Sequence, residues 1–184
     1  MKKLLISSIC FLVAILGINA QSPIRLAERP VYRGFVTTGY NFGGPTGAVA
    51  HWTLNTTHGV EFIPGRLFVG GGAGVGISTE NDRANCYSLP LYAAARYTFG
   101  GHRVEPYIDM KAGYAFLWDR ERETGKNIGG FYFAPSAGIS LPLTTATAVF
   151  FGLGYELHNA RYTYRGDTNS FNAGGFSLIA GVKF

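Results

Sequence analysis

Four charged side chains stand inside stretches that are otherwise apolar. Arg96 follows Ala93, Ala94 and Ala95; Asp109 and Lys111 flank Met110; Glu156 lies between Tyr155 and Leu157. If these positions are interior, the charges must be paired, because an isolated ion out of water costs several kcal/mol. Such a group could bind an ion or a polar ligand, or it could neutralise itself as a salt-bridge network that fills an interior. The network is the expected use of Arg96, Asp109, Lys111 and Glu156, since pairing is what makes buried charge tolerable.

The other reactive side chains offer less. His51, His58, His102 and His158 show no short metal-ligand spacing and no cysteine pair accompanies them, so neither a metal site nor a cofactor is predicted. His158, in "ELHNA", could serve as a base, but a hydrolase also needs a nucleophile within hydrogen-bond reach. Ala160 stands two residues on, and Ser170 and Ser177 are the substitutes left. No enzyme is predicted. Arg165-Gly166-Asp167 spells a possible adhesion tripeptide, a pattern short enough to arise by chance. Cys86 reads as a lone thiol in a loop.

The elements that must carry these residues follow from polarity. Eight stretches of about ten residues alternate apolar with polar or small. They run roughly from Tyr32 to Asn41, Val49 to Phe62, Arg66 to Thr79, Ser88 to Phe99, Pro106 to Trp118, Phe131 to Leu141, Ala148 to His158 and Ala173 to Phe184. That rhythm belongs to an all-β sandwich or barrel. The breaks alternate in length: "IPGR", "GGHRVE" and "PLTTAT" are compact, whereas "ENDRANC", "DRERETGKNIGG" and "NARYTYRGDTNS" are longer and polar. Short turns on one side and long loops on the other describe an antiparallel barrel crossing a membrane.

Faces within the strands agree. Ile108, Met110, Ala112, Tyr114, Phe116 and Trp118 oppose Asp109, Lys111, Gly113 and Ala115. Leu67, Val69, Ala73, Val75 and Ile77 oppose Gly70, Gly72, Gly74 and Gly76. A minority face of charges and glycines suits a narrow lumen that side chains fill, with glycine leaving room beside Arg96, Tyr92 and Lys111. Tyr40, Trp52, Phe62, Phe99, Trp118, Tyr155 and Phe184 fall near the ends of the apolar bands, where amphipathic rings favour the membrane interface. A closed barrel also satisfies every backbone polar group, as a lipid environment demands. The predicted fold is an all-β, eight-stranded antiparallel transmembrane β-barrel.

The ends of the chain supply the route. Lys2 and Lys3, an apolar run from Leu4 to Ile18, and Ala20 before Gln21 have the order of a secretory signal peptide, with cleavage expected near Ala20. The run is shorter than the roughly 20 residues of a membrane-spanning helix. Residues 1–20 are thus the signal and 21–184 the barrel. Basic residues then fall from 16 to 14 against 11 acidic, a mild excess with no cluster suited to nucleic acid. Only Cys86 survives cleavage, so no internal disulfide forms. At the other end Phe176, Leu178, Ala180, Val182 and Phe184 share one apolar face of the last stretch.

The terminal "FSLIAGVKF", together with "TTHGVEFIPGRLFVGGGAGVG", "SLPLYAAARYTF" and "GGFYFAPSAGISL", resembles the small outer-membrane β-barrel family of Gram-negative bacteria, the OmpA-like and porin-like barrel domains. The resemblance covers essentially all of the chain after residue 20. It implies the cell outer membrane as the location, with outer-membrane lipid and lipopolysaccharide as surroundings. It implies that Phe176, Leu178, Ala180, Val182 and Phe184 are the signal read by the barrel-assembly machinery. The expected role is non-enzymatic, in envelope integrity or surface interaction through the extracellular loops, with no partner legible in them. Two alternatives stand beside it. A lipid A deacylase-like enzyme would centre on His158, although the family pattern His-x-Ser-Asn has Ala160 here at its serine. A narrow channel would need a lumen free of the Arg96 and Lys111 network. The charges of "DRERETGK" could meet lipopolysaccharide phosphates or bridging divalent cations, with Arg120, Arg122 and Lys126 as donors, but a solvated loop is the expected reading.

Overall fold

The computed structural model describes residues 30–43, 50–78, 86–100, 103–119, 128–144, 146–164, 167–172 and 174–184. Residues 1–20, expected as a leader, together with His102, Arg120, Arg122, Lys126 and the Arg165-Gly166 pair, lie outside the described residues. Among the described residues nine strands follow in order: β1 Val31–Asn41, β2 His51–Ile63, β3 Leu67–Ser78, β4 Cys86–Thr98, β5 Glu105–Asp119, β6 Ile128–Pro142, β7 Ala148–Tyr164, β8 Asp167–Asn172 and β9 Gly175–Lys183. Each pairs antiparallel with its sequence neighbour from β1 to β7, β7 pairs with β9, and β9 pairs with β1. The sheet therefore closes.

β8 is not a ninth stave. β7 pairs with β8 at Asn159↔Asn172 and with β9 at Glu156↔Gly175 in one unbroken register. β8 thus continues the line of β9 outward, and β7 and β8 form an arm beyond the ring of eight. The segment "NARYTYRGDTNS", expected as a loop, is mostly strand, and the Tyr164↔Asp167 pair leaves two residues to connect its halves. Tyr162, Thr163 and Tyr164 have strand-favouring side-chain types, and a two-residue connection containing Gly is a common hairpin length. Cys86 opens β4 instead of lying in a loop.

The stagger of the barrel can be read from the pairs themselves. Starting at Val31, the partners are Glu61, Phe68, Arg96, Asp109, Ser136, Gly154 and Ser177, and the last of these pairs with Asn41. One circuit thus returns to β1 ten residues further on. Such a stagger requires tilted strands, about 35–45° from the axis, and eight of them leave an interior just wide enough for side chains.

At the short-turn end, Pro64 and Gly65 form a turn in which Arg66 N donates to Ile63 O at 2.9 Å and Gly65 has φ of 68°. Pro then Gly, the second at positive φ, is the pairing a type II turn needs. Between β6 and β7 the Thr144 hydroxyl accepts from Ala146 N and Thr147 N. Burial then alternates along the staves with the apolar face outward: Leu153 is 66% exposed, whereas Glu156 is 6% exposed. A water-soluble barrel would reverse that distribution.

Candidate functional site

The interior is built in layers, each set by the register. Nearest the short turns, the Glu61 carboxylate accepts from Lys183 Nζ at 3.2 Å and pairs with Arg33 Nε at 3.5 Å. β1, β2 and β9 supply one residue each. This layer places three charges at that end, two of them positive.

Above it lies a second layer. Arg96 and Asp109 face each other directly across β4 and β5, and Arg96 Nη2 and Nε donate to Asp109 Oδ2 at 2.7 and 3.1 Å. The guanidinium lies over three rings, with its carbon 4.4 Å from the centroid of Phe35, 4.4 Å from Tyr107 and 4.1 Å from Phe150. Phe68 meets Phe35 edge-on at 4.7 Å. Phe150 has no exposed surface and Tyr107 is 2% exposed. A cation over aromatic faces is attracted by their quadrupoles, the more so when desolvated. The rings fit because the facing strand positions lack side chains: a Cβ on Gly152 would collide with the Tyr107 hydroxyl, and one on Gly181 with the Phe150 ring.

The third layer holds Tyr92, Lys111 and Tyr132. Tyr92 Oη is 3.0 Å from Thr57 Oγ1, and its ring lies 5.3 Å from Lys111 Nζ. Gly72 provides the gap for that ring. No carboxylate forms an ion pair with Lys111 among the described residues. A cavity of about 20 Å³ opens beside it, lined by Thr37, Asn55, Lys111, Tyr132, Glu156 and Ser177. That is space for about one water molecule.

At the long-connection end Glu156 meets two histidines, His158 Nε2 at 2.7 Å and His51 Nε2 at 3.8 Å. Asn41 Nδ2 donates to Gly175 O, and Gly43 N donates to Asn41 Oδ1. His158 is 3% exposed and faces the lumen, with the Tyr132 ring 5.0 Å away. It does not present its imidazole to the outer face.

All four expected interior charges therefore point inward and are buried, yet they do not form one network. Arg96 and Asp109 meet, Lys111 stands beside Tyr92, and Glu156 belongs with His51 and His158. The sequence reading missed Arg33, Glu61, Lys183 and His51, and also the ring cluster of Phe35, Phe68, Tyr107 and Phe150. Strand parity could have found several of them, because Tyr107 shares the face of Asp109 and Phe150 that of Glu156. Phe176, Leu178, Val182 and Phe184 are exposed on the outer face, and Ala180 is half-buried there. Tyr40, Trp52, Phe62 and Tyr155 also lie on the outside; Phe99 sits in a short turn, where its N–H donates to Pro106 O.

No family model matches the chain, and no curated protein matches it. Among solved structures, the neisserial surface protein A (NspA) is similar with a TM-score of 0.69 and 14% identity, covering 85% of this chain and 98% of that one. The N-terminal β-barrel domain of Pseudomonas aeruginosa OprF is similar with a TM-score of 0.50 and 11% identity, covering 85% and 100%. Identities this low speak to architecture alone: the chain is a closed eight-stranded antiparallel β-barrel, the fold of small outer-membrane barrel proteins.

Proposed function

We propose that the chain is an integral outer-membrane protein with a sealed lumen, exported with loss of residues 1–20 and acting non-enzymatically through its outward-facing connections. Its short turns face the periplasm, and its long connections, with the β7–β8 arm, face outward among lipopolysaccharide. Envelope integrity or surface interaction is the role. The observation that carries this reading is the Arg96–Asp109 pair with its guanidinium over Phe35, Tyr107 and Phe150, which supports a short-turn half filled by side chains. The lumen-facing, Glu156-bound His158 supports the non-enzymatic role. Phe176, Leu178, Ala180, Val182 and Phe184 serve as the strand signal for the assembly machinery.

A complementation experiment tests this. Cells lacking the chain receive either the intact gene or one in which residues 120–127 and 163–168 are replaced by tight turns. The trimmed barrel should reach the outer membrane yet leave detergent and antibiotic sensitivity at the level of the deletion strain. Full rescue by the trimmed barrel would refute a role carried by the connections.

A further inference from the structure

The seam where β9 meets β1 carries a contact that barrel closure alone does not require. Gly34 N donates to Phe184 O at 2.8 Å and Phe184 N donates to Gly34 O at 2.9 Å, so the two residues form a full rung beyond the end of β9. Both face outward. The Phe184 ring lies across Gly34, where an added Cβ would come within 2.5 Å of two ring carbons. On the other side of Gly34, directly paired with it, is His58. With no side chain between them, the His58 and Phe184 rings approach edge to face at 6.3 Å.

His58 is itself held in place. Its Nδ1 lies 2.6 Å from Tyr32 Oη and its Nε2 2.7 Å from Thr56 Oγ1, so both ring nitrogens are hydrogen-bonded. Tyr32 stacks on it with ring centroids 6.1 Å apart. A glycine covered by a cross-strand aromatic is a known way of pinning register in a sheet. Here that device spans three strands and sits on the one seam formed by the two ends of the barrel.

We propose that Gly34, flanked by Tyr32, Thr56 and His58, is a seat for the Phe184 ring, and that filling it locks the β1–β9 seam as the barrel closes. The first hairpin thus supplies the receptor and the last strand the ligand. This deepens the assembly role proposed for the last strand. The ring exposed to a machine in the open chain is held by the chain's own β1 and β2 after closure.

The test uses the chain from Gln21 to Phe184, unfolded in urea and diluted into short-chain phosphatidylcholine vesicles that contain no assembly machinery. Folding is followed by the gel shift of the compact barrel in unheated samples. Gly34→Ala and Phe184→Ala should each slow folding by roughly two- to fivefold, the range for losing one cross-strand contact. Combined, they should be no slower than Phe184→Ala alone. Gly71→Ala is the control, because a Cβ there meets only ordinary contact with Tyr92 O at 3.6 Å, and it should fold at the native rate. If Gly34→Ala fails to fold, recovery in the double variant supports the seat, and failure there too overturns it. A native rate for Gly34→Ala, or effects that simply add, also overturns it. A Phe184→Ala chain that folds normally in vesicles but fails to assemble in cells would remove the seat while leaving the assembly signal standing.

Discussion

At the scale of single residues, the interior charges differ in what their loss should do. Removing one partner of a buried pair strands the other, at a cost of about 3–5 kcal/mol, whereas replacing both with apolar groups is often neutral. Asp109→Ala should therefore lower the unfolding free energy by an amount near that range, and the urea midpoint with it, while Arg96→Met with Asp109→Leu should return close to the native midpoint. Lys111 is a different case. It pairs with no carboxylate among the described residues and rests beside the Tyr92 ring, so Lys111→Met should leave stability unchanged or raise it. A fall of more than about 2 kcal/mol in equilibrium unfolding would show instead that its charge is compensated within the lumen. Phe150, fully buried beneath Arg96, should cost about 3–5 kcal/mol on truncation to Ala.

At the scale of elements, the staves were legible because each has a different environment on either side. Leu67, Val69, Ala73, Val75 and Ile77 alternate with glycines, and that alternation fixes both the strand and its two faces. Leu153→Arg on the outer face should cost about 2–4 kcal/mol in reversible vesicle folding if it lies near the bilayer midplane. A negligible cost would contradict a lipid-facing position. The β7–β8 arm was not legible. The segment "NARYTYRGDTNS" has the composition of a loop, although β7 and β8 pair along it. Because the arm lies outside the closed ring, replacing residues 162–169 with a tight turn should leave the folded gel shift of the barrel intact. Loss of that shift would mean that the arm contributes to closure.

For the whole molecule, the number of staves could be counted from turn signals, but which interior residues meet could not. Pairing inside a barrel depends on stagger, and the ten-residue displacement from Val31 to Asn41 is a sum over eight registers. That is why Arg96 and Asp109 were expected inside together with Lys111 and Glu156, while the division into separate layers emerged only from the pairs. It is also why Glu61, on β2, and Lys183, on β9, gave no sign of meeting at one end of the lumen. The lumen holds Arg33, Glu61 and Lys183 toward the short turns, Arg96 among rings above them, and Glu156 with two histidines toward the far end, and the sealed lumen proposed from them predicts no conductance. Single-protein conductance in planar bilayers tests this seal most directly, comparing the native chain with Arg96→Ala combined with Phe150→Ala. The native barrel should show no steady conductance, and the double variant should gain openings. Steady conductance through the native barrel would contradict a sealed lumen and make transport its function.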